Sequence, residues 1–467
     1  MLSREDNELV CRTGPDTPMG KLFRRYWHPF LLSSELPEPD GAPVRVKLLG
    51  EELVAFRDTM GEVGLLEERC PHRGASLYYG INDQCGLMCV YHGFAFDIHG
   101  KCIATPSDAP GSNFKDKVRA KAYPVIESAG VLWAYMGPPE KQPPLPDFSF
   151  HKLPPDHVMA TRVPVYCNWL QSVEGNIDST HLGTLHVYYK DLDPVDDGTD
   201  RPGYPSPRYS LYIRAKYRHA RIDVQDTAYG FRLIAVRPTD AGNQHVRINC
   251  HILPEFTFIA SQGRGGSILN AVPIDDDNAM RFAIQYNPDR PFTADERQSI
   301  MARNMLMDPA DPTRRLKRLD NDYLIDRAAQ KKTLMAGIWP IPEQDYAMTE
   351  SMGPIMDRTK EHLYPADAAI IRLRQMLIRA AKNLEAGQEP PGLDRTIPFE
   401  KIRSAEIIIG PEDDPWQVAA EAGEGGTLSC APSADAVAGN TAQRGERLLR
   451  EIRHRSGNYT GSLRSAA

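Results

Sequence analysis

Two short cysteine–histidine motifs constrain this chain more than any other feature of its sequence. Cys70 and His72 lie in ERCPHRGASL, and Cys89 and His92 lie in CVYHGFAFDIHG, with sixteen residues between the two motifs. Each motif stands between strand-like runs, so two loops can meet tip to tip and hold one metal centre. Two thiolates and two imidazoles can bind a structural zinc ion. The same set can bind a [2Fe-2S] cluster, whose potential the imidazoles raise. The joint pattern of CPHRG and CVYHG favours the cluster.

The composition is that of a globular protein. With 467 residues, 41% hydrophobic and 25% charged, the chain is long enough for two or three domains. The net charge of −7 argues against nucleic acid or an anionic membrane surface as the main partner. The stretch MLSREDNELV lacks the pattern of a secretory signal, and we find no run of about 20 apolar residues. Eight scattered cysteines, of which two lie in the motifs, indicate metal binding in a reducing cytoplasm.

The pattern along the chain predicts an α+β fold with two main domains. Residues 1–42 form an N-terminal segment in which MGKLFRRYWHPFLL is expected to dock as a helix on the second of the two domains. Residues 43–145 carry five strand-like runs with glycine-bearing turns, which indicates a small antiparallel β-domain ending in a proline-rich linker. Residues 146–410 mix helices with longer strands and predict a helix-flanked antiparallel sheet. Residues 411–467 are low in aromatics and predict a flexible tail, with one short helix at GERLLREIRHR.

A second candidate metal site lies in the segment CNWLQSVEGNIDSTHLGTLH. We expect one helix over about 168–189, in which His181 and His186 are five residues apart. That spacing leaves the two imidazoles about 140° apart on a regular helix, so a π-type turn or a bend, eased by Gly183, is needed to bring them together. Asp178 lies three residues before His181, on the same helical face.

These motifs and several other segments resemble the Rieske oxygenases, in particular the phthalate dioxygenase group. The similarity extends to about residue 385 and includes CRTGPDTPMG, VLWAYMGP, DNDYLIDRAAQ, PEQDYAM, GPIMDR and DAAIIRLRQMLIRAA. The resemblance implies an N-terminal antiparallel β Rieske [2Fe-2S] domain followed by a catalytic domain. In this reading Cys70, His72, Cys89 and His92 hold the cluster.

The resemblance also implies a mononuclear Fe(II) site that activates O2. Its ligands are His181, His186 and an aspartate on a later helix, for which DNDYLIDRAAQ offers Asp320, Asp322 and Asp326. Alignment with the family pattern favours Asp322. Two imidazoles and one carboxylate form the facial triad of non-haem iron oxygenases and leave positions open for O2.

Family members are oxygenase components that depend on other chains. The resemblance implies a homo-oligomer, a trimer or hexamer, in which Asp178 has a catalytic role: it bridges His181 to His92 of the partner subunit and so links cluster to iron. Electrons would come from an NAD(P)H-dependent flavin and [2Fe-2S] reductase or from a ferredoxin. The chain has no GxGxxG fingerprint for a nucleotide of its own.

The implied substrate is an aromatic acid, and the reaction is hydroxylation of its ring. O-demethylation of a methoxylated aromatic acid is the alternative outcome. A basic residue among Arg214, Arg218, Arg221, Arg232 and Arg247 is expected to pair with the substrate carboxylate. Two other classes compete with an oxygenase: a Rieske electron carrier, which would need only residues 43–145, and a zinc-binding interaction module.

Overall fold

A computed structural model describes residues 1–109, 111–261 and 265–423 of the chain. Its helices are α1 (Arg4–Cys11), α2 (Pro18–Phe23), α3 (Trp169–Ile177), α4 (Pro207–Lys216), α5 (Ala294–Asn304), α6 (Arg327–Lys332), α7 (Ile341–Ser351), α8 (Ala368–Glu385) and α9 (Pro415–Gly423). Among the described residues, no helix combines the length and the apolar character that a membrane span requires.

The first half of the chain is built from short antiparallel strands. They are β1 (Trp27–Leu32), β2 (Val44–Leu48), β3 (Glu51–Arg57), β4 (Val63–Glu67), β5 (Ile81–Asp83), β6 (Gly86–Met88), β7 (Ala95–Phe96), β8 (Cys102–Ala104), β9 (Ala122–Tyr123), β10 (Val125–Ser128) and β11 (Val131–Tyr135). Three sheets result, in the orders β1-β11-β10, β2-β3-β4-β9 and β5-β6-β7-β8. The predicted antiparallel β-domain is confirmed, and β2 pairs with β3 across Gly50, which lies in one of the expected glycine-bearing turns.

The second half is organised around one large antiparallel sheet. Its strands are β12 (Val158–Val165), β13 (Arg221–Thr227), β14 (Gly230–Pro238), β15 (Gln244–Ile252), β16 (Phe256–Ile259), β17 (Gly266–Pro273), β18 (Ala279–Tyr286) and β21 (Ala405–Ile409), while β19 (Met307–Asp308) and β20 (Asp311–Arg315) form a separate hairpin. The order is β12-β18-β17-β16-β15-β14-β13, and β21 adds to β15. This arrangement confirms the predicted helix-flanked antiparallel sheet.

Strand β15 is buried along nearly its whole length, yet only one of its faces is apolar. Val246, Ile248 and Cys250 lie on that face, packed in hydrophobic clusters. The alternate residues on the opposite face include Arg247 and His251, which are buried as well. Buried polar side chains require hydrogen-bond or charge partners. This polar face of β15 lies against the segment that follows α3.

The N-terminal segment differs from its prediction. The single helix expected for MGKLFRRYWHPFLL ends at Phe23, and Trp27–Leu32 forms β1, which pairs with β11. Pro29 explains the change, because a proline removes a helical hydrogen bond and its ring clashes with the preceding turn. Helices α1 and α2 contact α8 of the second half, and one hydrophobic core joins them to the large sheet.

The predicted flexible tail begins with ordered structure. Helix α9 places Trp416, Val418 and Ala419 in a cluster with the apolar face of β14, β15 and β21. The prediction of a flexible tail rested on the low aromatic content of the whole segment and overlooked these apolar residues at its start. Residues 424–467, including GERLLREIRHR, lie outside the described residues.

Candidate metal centres

The two cysteine–histidine loops have the same backbone hydrogen bonds. In the first loop, the N–H of Cys70 donates to the Ala75 carbonyl and the N–H of Gly74 donates to the Cys70 carbonyl, each at 2.8 Å. In the second, Cys89 and Gly93 repeat the pattern: the N–H of Cys89 donates to the carbonyl five residues on, and the N–H of Gly93 to the Cys89 carbonyl, again at 2.8 Å. Both glycines have positive φ, +73° and +78°, which side chains disfavour. The sequence therefore builds two matched loops.

The structure brings the four predicted cluster residues together. The rings of His72 and His92 have centroids 4.4 Å apart at 75°, and the thiols of Cys70 and Cys89 lie within hydrogen-bonding reach of each other. The thiols are buried, whereas His72 is exposed and His92 half-buried. A centre held here would have its thiolate side inside the domain and its imidazole side at the surface.

The surroundings of Cys70 fit a metal-bound thiolate. Burial is the main cause that raises the pKa of Cys70 to about 11, so without a cation this thiol keeps its proton at neutral pH. The backbone N–H groups of His72 and Arg73 donate to its sulfur, which stabilises the charged form. Iron ions supply the positive charge that such a thiolate needs.

The segment after α3 brings the second pair of histidines together, but by a different route from the predicted single helix. Helix α3 ends at Ile177, Asp178 is extended, and His181–Gly183 forms a 3-10 turn. Gly183 is required for packing, because a Cβ there would lie 2.8 Å from the Arg214 carbonyl oxygen of α4. Close approach of α4 therefore fixes the turn.

Asp178 and His181 form a tight pair at this turn. Asp178 Oδ2 lies 3.1 Å from Nδ1 of His181, and its Oδ1 accepts bonds of 2.6 Å from the N–H and hydroxyl of Thr180. Burial alone would raise the pKa of Asp178, but the bonds from His181 and Thr180 outweigh it and lower that pKa to about 2. The carboxylate is thus ionised, and the Nδ1 of His181 is the donor.

Asp345, on α7, completes the site. His186 Nε2 lies 3.1 Å and His181 Nε2 3.7 Å from Asp345 Oδ1, while the two Nε2 atoms are 3.2 Å apart. His186 Nδ1 donates to Gln344 Oε1 at 2.7 Å. Within the described residues, His181, His186 and Asp345 are the one group of three such side chains whose ligand atoms converge in this way.

This arrangement fits a metal ion. Both histidines donate through Nδ1, so in their neutral forms both Nε2 lone pairs point toward a carboxylate oxygen with no donor between them. Three converging acceptors need a proton or a cation. Ligand atoms at about 2.0–2.2 Å from one ion and at right angles to each other lie about 3 Å apart, which the distances of 3.1–3.7 Å approach.

Asp322 does not join the two histidines, so the predicted third member of the set is corrected to Asp345. The later helix predicted to carry this aspartate forms only in part: α6 covers Arg327–Lys332, whereas Leu319–Leu324 is an irregular turn in which Asp322, Tyr323 and Leu324 have positive φ. Tyr323 is buried and its hydroxyl donates to Glu350. Burial of Tyr323 turns the neighbouring Asp322 outward, where it is exposed.

Comparison with known proteins identifies the family. The model of the Rieske [2Fe-2S] domain matches residues 26–124, and the model described as LigXa C-terminal domain like matches residues 134–432. The chain belongs to the Rieske oxygenases. It is an oxidoreductase whose Rieske domain carries a [2Fe-2S] cluster, and its family uses a mononuclear iron and O2. A family of this kind implies a separate reductase or ferredoxin and an aromatic substrate.

Relatives of this Rieske oxygenase cover almost the whole chain. The 3-chlorobenzoate-3,4-dioxygenase oxygenase subunit of Comamonas testosteroni is 38% identical over 90% of this chain and 98% of its own length. The phthalate 4,5-dioxygenase oxygenase subunit of Pseudomonas putida is 36% identical over 89% and 94%. The 5,5'-dehydrodivanillate O-demethylase oxygenase subunit of Sphingobium sp. (strain NBRC 103272 / SYK-6) is 31% identical over 88% and 89%.

An open depression of about 450 Å³ lies over Asp178 in this Rieske oxygenase. Its walls combine both charges with one aromatic side chain. They are formed by Asp178, Thr180, His181, Thr184, Arg218, His219, Ala220, Tyr364, Ala366 and Asp367. The side chain of Asp178 is 22% exposed, so the carboxylate that holds His181 can also be reached from outside.

A cluster of buried arginines lies on the polar face of β14 and β15. Arg247 pairs with Glu406 at 2.8 Å. Its charge also reaches His181: burial and Arg247 act to lower the pKa of that imidazole, but Asp178 and Asp345 outweigh them and the pKa is raised. Arg237 is fully buried and donates to the Tyr217 and Ser179 carbonyls, but its third guanidinium nitrogen has no partner among the residues that the structure describes. Burial, and then the positive charge of Arg247, lower the pKa of Arg237 to about 9. This face has more positive charge than its one carboxylate balances.

The candidate arginines therefore separate by burial. Arg247 is buried on the face toward His181, Arg218 lines the open depression, and Arg221 is exposed. Arg214 and Arg232 are half-buried and bonded to Ser210 and Tyr229. Arg237, in the strand run GFRLIAVRP, lies on the same face of the sheet as Arg247 but was not among the arginines predicted from the sequence. Asp345 and Gln344 were not predicted either, although their segment PEQDYAM resembles the family.

Proposed function

We propose that this chain is the terminal component of a system that takes electrons from a separate NAD(P)H-dependent reductase, or from a ferredoxin, and uses O2 to hydroxylate an aromatic acid. The observation that carries the proposal is the convergence of His181, His186 and Asp345 in a chain that also has a Rieske domain. An electron carrier would need only the first half of the chain, and a zinc module would need neither the acid nor the second histidine pair.

In this proposal the four residues of the two matched loops hold the cluster, and His181, His186 and Asp345 hold Fe(II). The iron supplies the binding and reduction of O2 at positions that the protein leaves open. The protein fixes the two histidines through their Nδ1 protons, one on Asp178 and one on Gln344. Such outer partners orient metal ligands and fix their tautomers.

We infer an acidic substrate from the surplus of buried positive charge. Arg237 has an unpartnered guanidinium nitrogen, and Arg247 lies near His181. A buried cation without a counter-charge is costly, and a carboxylate is the partner that a guanidinium binds best. Chlorobenzoate and phthalate, in the names of two relatives, are aromatic acids. We therefore assign the acid group of the substrate to Arg237 and Arg247.

We also propose that the active form is a homo-oligomer, a trimer or hexamer. His72 and His92 lie at the surface of the Rieske domain, and Asp178 lies in an open depression of the catalytic domain. The tip of a second copy, seated in that depression, would bring His92 of the partner subunit to Asp178. Asp178 would then accept a hydrogen bond from each side and join the cluster of one copy to the iron of the other.

A substrate panel tests the proposed reaction. Purified chain with cluster and Fe(II), together with a phthalate-dioxygenase-type reductase and NADH, is incubated with benzoates, phthalates and methoxybenzoates, and with the matching amides. We expect oxygenated product from acids and none from the neutral amides, detected by mass. Turnover of the amides at the rate of the acids would contradict the role given to Arg237 and Arg247.

O-demethylation is the second candidate, supported by the 31% identical O-demethylase oxygenase subunit. The same panel separates the two reactions. A ring hydroxylation retains the methoxy carbon, whereas demethylation releases it as formaldehyde. Formaldehyde formed in equal amount to product from a methoxybenzoate, with no ring-hydroxylated product, would select the second candidate.

A further inference from the structure

Gln344 is a fully buried amide between the second histidine and the protein backbone. Its Oε1 lies 2.7 Å from His186 Nδ1, and its Nε2 lies 2.7 Å from the Ile338 carbonyl oxygen. Its side chain is 0% exposed. It immediately precedes Asp345 on α7, so the helix that supplies the acid also supplies this contact.

The hydrogen-bond partners fix the orientation of the Gln344 amide and the proton on His186 Nδ1. A backbone carbonyl only accepts, so the amide nitrogen of Gln344 must face Ile338 and its oxygen must face His186. The amide oxygen also only accepts, and His186 must then carry its proton on Nδ1. In the neutral imidazole, Nε2 then has a lone pair, directed at Asp345 and His181.

We propose that Gln344 is the positioning residue of the mononuclear metal site, which sets the tautomer and ring orientation of His186 while adding no charge. This inference rests on the proposed function, since it takes the two histidines to be metal ligands. The two histidines thereby have different outer partners: His181 has the carboxylate of Asp178, and His186 has a neutral amide. With Asp178 and Asp345, the site already has two carboxylates for one dication.

Two substitutions separate orientation from charge. Gln344→Leu has a similar size but cannot accept the His186 proton, so the imidazole can rotate or change tautomer. Gln344→Glu can still accept that proton, although it cannot donate to Ile338 when ionised. Loss of an outer partner of a metal-bound histidine weakens metal binding by about 10–100-fold. We expect that loss in Gln344→Leu and recovery of most of it in Gln344→Glu.

Gln171 provides a matched control. It is 2% exposed, its amide nitrogen donates to the Thr349 and Gly353 carbonyls, and its oxygen accepts from the Met356 N–H. Gln171→Leu therefore breaks three amide hydrogen bonds, one more than Gln344→Leu breaks. It touches neither of the two histidines, so it should lower the thermal midpoint and leave metal affinity unchanged.

The experiment measures Co(II) binding to the full chain with its cluster in place, by competition with a chelator, and records the visible ligand-field spectrum of the bound Co(II). Weaker binding and a changed spectrum in Gln344→Leu, with wild-type values in Gln171→Leu, would support the inference. Equal affinity and spectrum in Gln344→Leu and wild type, or an equal loss in both Leu variants, would overturn it. If wild type bound no Co(II), or if His186→Ala bound it equally well, the proposed function itself would fail, and the inference with it.

Discussion

At the scale of single residues, the proposed mononuclear metal site depends on one carboxylate. Asp345 Oδ1 lies within 3.7 Å of both histidine Nε2 atoms, whereas Asp322 is exposed on a turn. We expect Asp345→Ala to lose the mononuclear iron and all product while keeping the absorption spectrum of the cluster. Asp322→Ala is the control and should retain both, as measured by iron analysis and product mass. Iron loss in Asp322→Ala alone would return the ligand role to the residue first predicted from the sequence.

Asp178 is the second residue on which the proposed function depends. Its carboxylate accepts three hydrogen bonds, from His181 and from the N–H and hydroxyl of Thr180. Asn has one acceptor oxygen, so in Asp178→Asn its NH2 group faces a donor, which costs about 1–3 kcal/mol. We expect the cluster and the iron to be retained and turnover to fall strongly, with oxidation of the cluster in a single turnover as the slowed step.

A control for that substitution exists elsewhere in the chain. Asp197 also accepts from the N–H and hydroxyl of a threonine two residues on, and from the hydroxyl of Ser206, but it contacts no histidine. Asp197→Asn should leave the rate of cluster oxidation at the wild-type value. A similar slowing in both variants would show that the effect of Asp178→Asn is merely structural.

At the scale of elements, the two cluster loops have the same backbone conformation, but different side chains surround them. A Cβ on Gly93 would lie 2.4 Å from Pro106 Cγ, whereas a Cβ on Gly74 would meet no atom within 4 Å. The positive φ costs both alanine variants roughly 1–2 kcal/mol. Overpacking against Pro106 should cost Gly93→Ala about 1–3 kcal/mol more.

Denaturant unfolding followed by cluster absorbance checks this difference. Gly74→Ala is the control for the backbone term, because its φ of +73° is close to the +78° of Gly93. Equal losses of stability in the two variants would mean that Pro106 can move away and that its packing does not constrain the second loop.

The linker between the two halves contains a histidine that is expected to weaken the fold in acid. His151 bonds to Ser128 through Nδ1 and has no partner on Nε2. Burial lowers the pKa of His151 to about 4, so the unfolded chain, with an ordinary pKa near 6.5, binds a proton more readily. The free energy of unfolding is therefore unaffected by His151 above about pH 6.5 and decreases as the pH falls toward 4. The decrease is about 2 kcal/mol between about pH 7 and about pH 5.

His151→Phe should remove that part of the pH dependence. The measurement is the free energy of unfolding at both pH values, for wild type and variant. His99→Phe, at an exposed turn position, should keep the wild-type difference. An unchanged pH difference in His151→Phe would rule out this histidine as its source.

At the scale of the whole molecule, the proposed assembly makes each copy depend on another. Cys89→Ser removes the cluster and His181→Ala removes the mononuclear site, so each variant alone should be inactive. Co-assembled by joint unfolding and refolding or by co-expression, they should regain part of the wild-type turnover, because an intact cluster can face an intact iron across the interface. A mixed oligomer, verified by mass, that formed no product would show that electrons do not pass between copies.

What the sequence determined by itself was local. Cys70 with His72, Cys89 with His92 and Asp178 with His181 are each joined by two or three peptide units, so a short loop or turn sets their geometry. The alternation of apolar residues predicted the antiparallel β-domain and the large sheet, because one face of each strand has to be buried. Two local predictions were wrong. The helix predicted in MGKLFRRYWHPFLL ends before Pro29, and the helix predicted around Asp322 is replaced there by a turn in which three residues have positive φ.

Tertiary packing decided the rest. Asp345 and Gln344 reach His186 from more than 150 residues away because α7 packs against α3. Arg237 and Arg247 meet beneath His181 because β14 and β15 pair in one register, which places both on the same face of the sheet. Contacts of this kind depend on which elements lie side by side, and no spacing within a single segment contains that information. The sequence alone thus determined the two loops, the two histidines and the chemistry they serve, whereas only the folded chain decided which acid, which amide and which cations surround them.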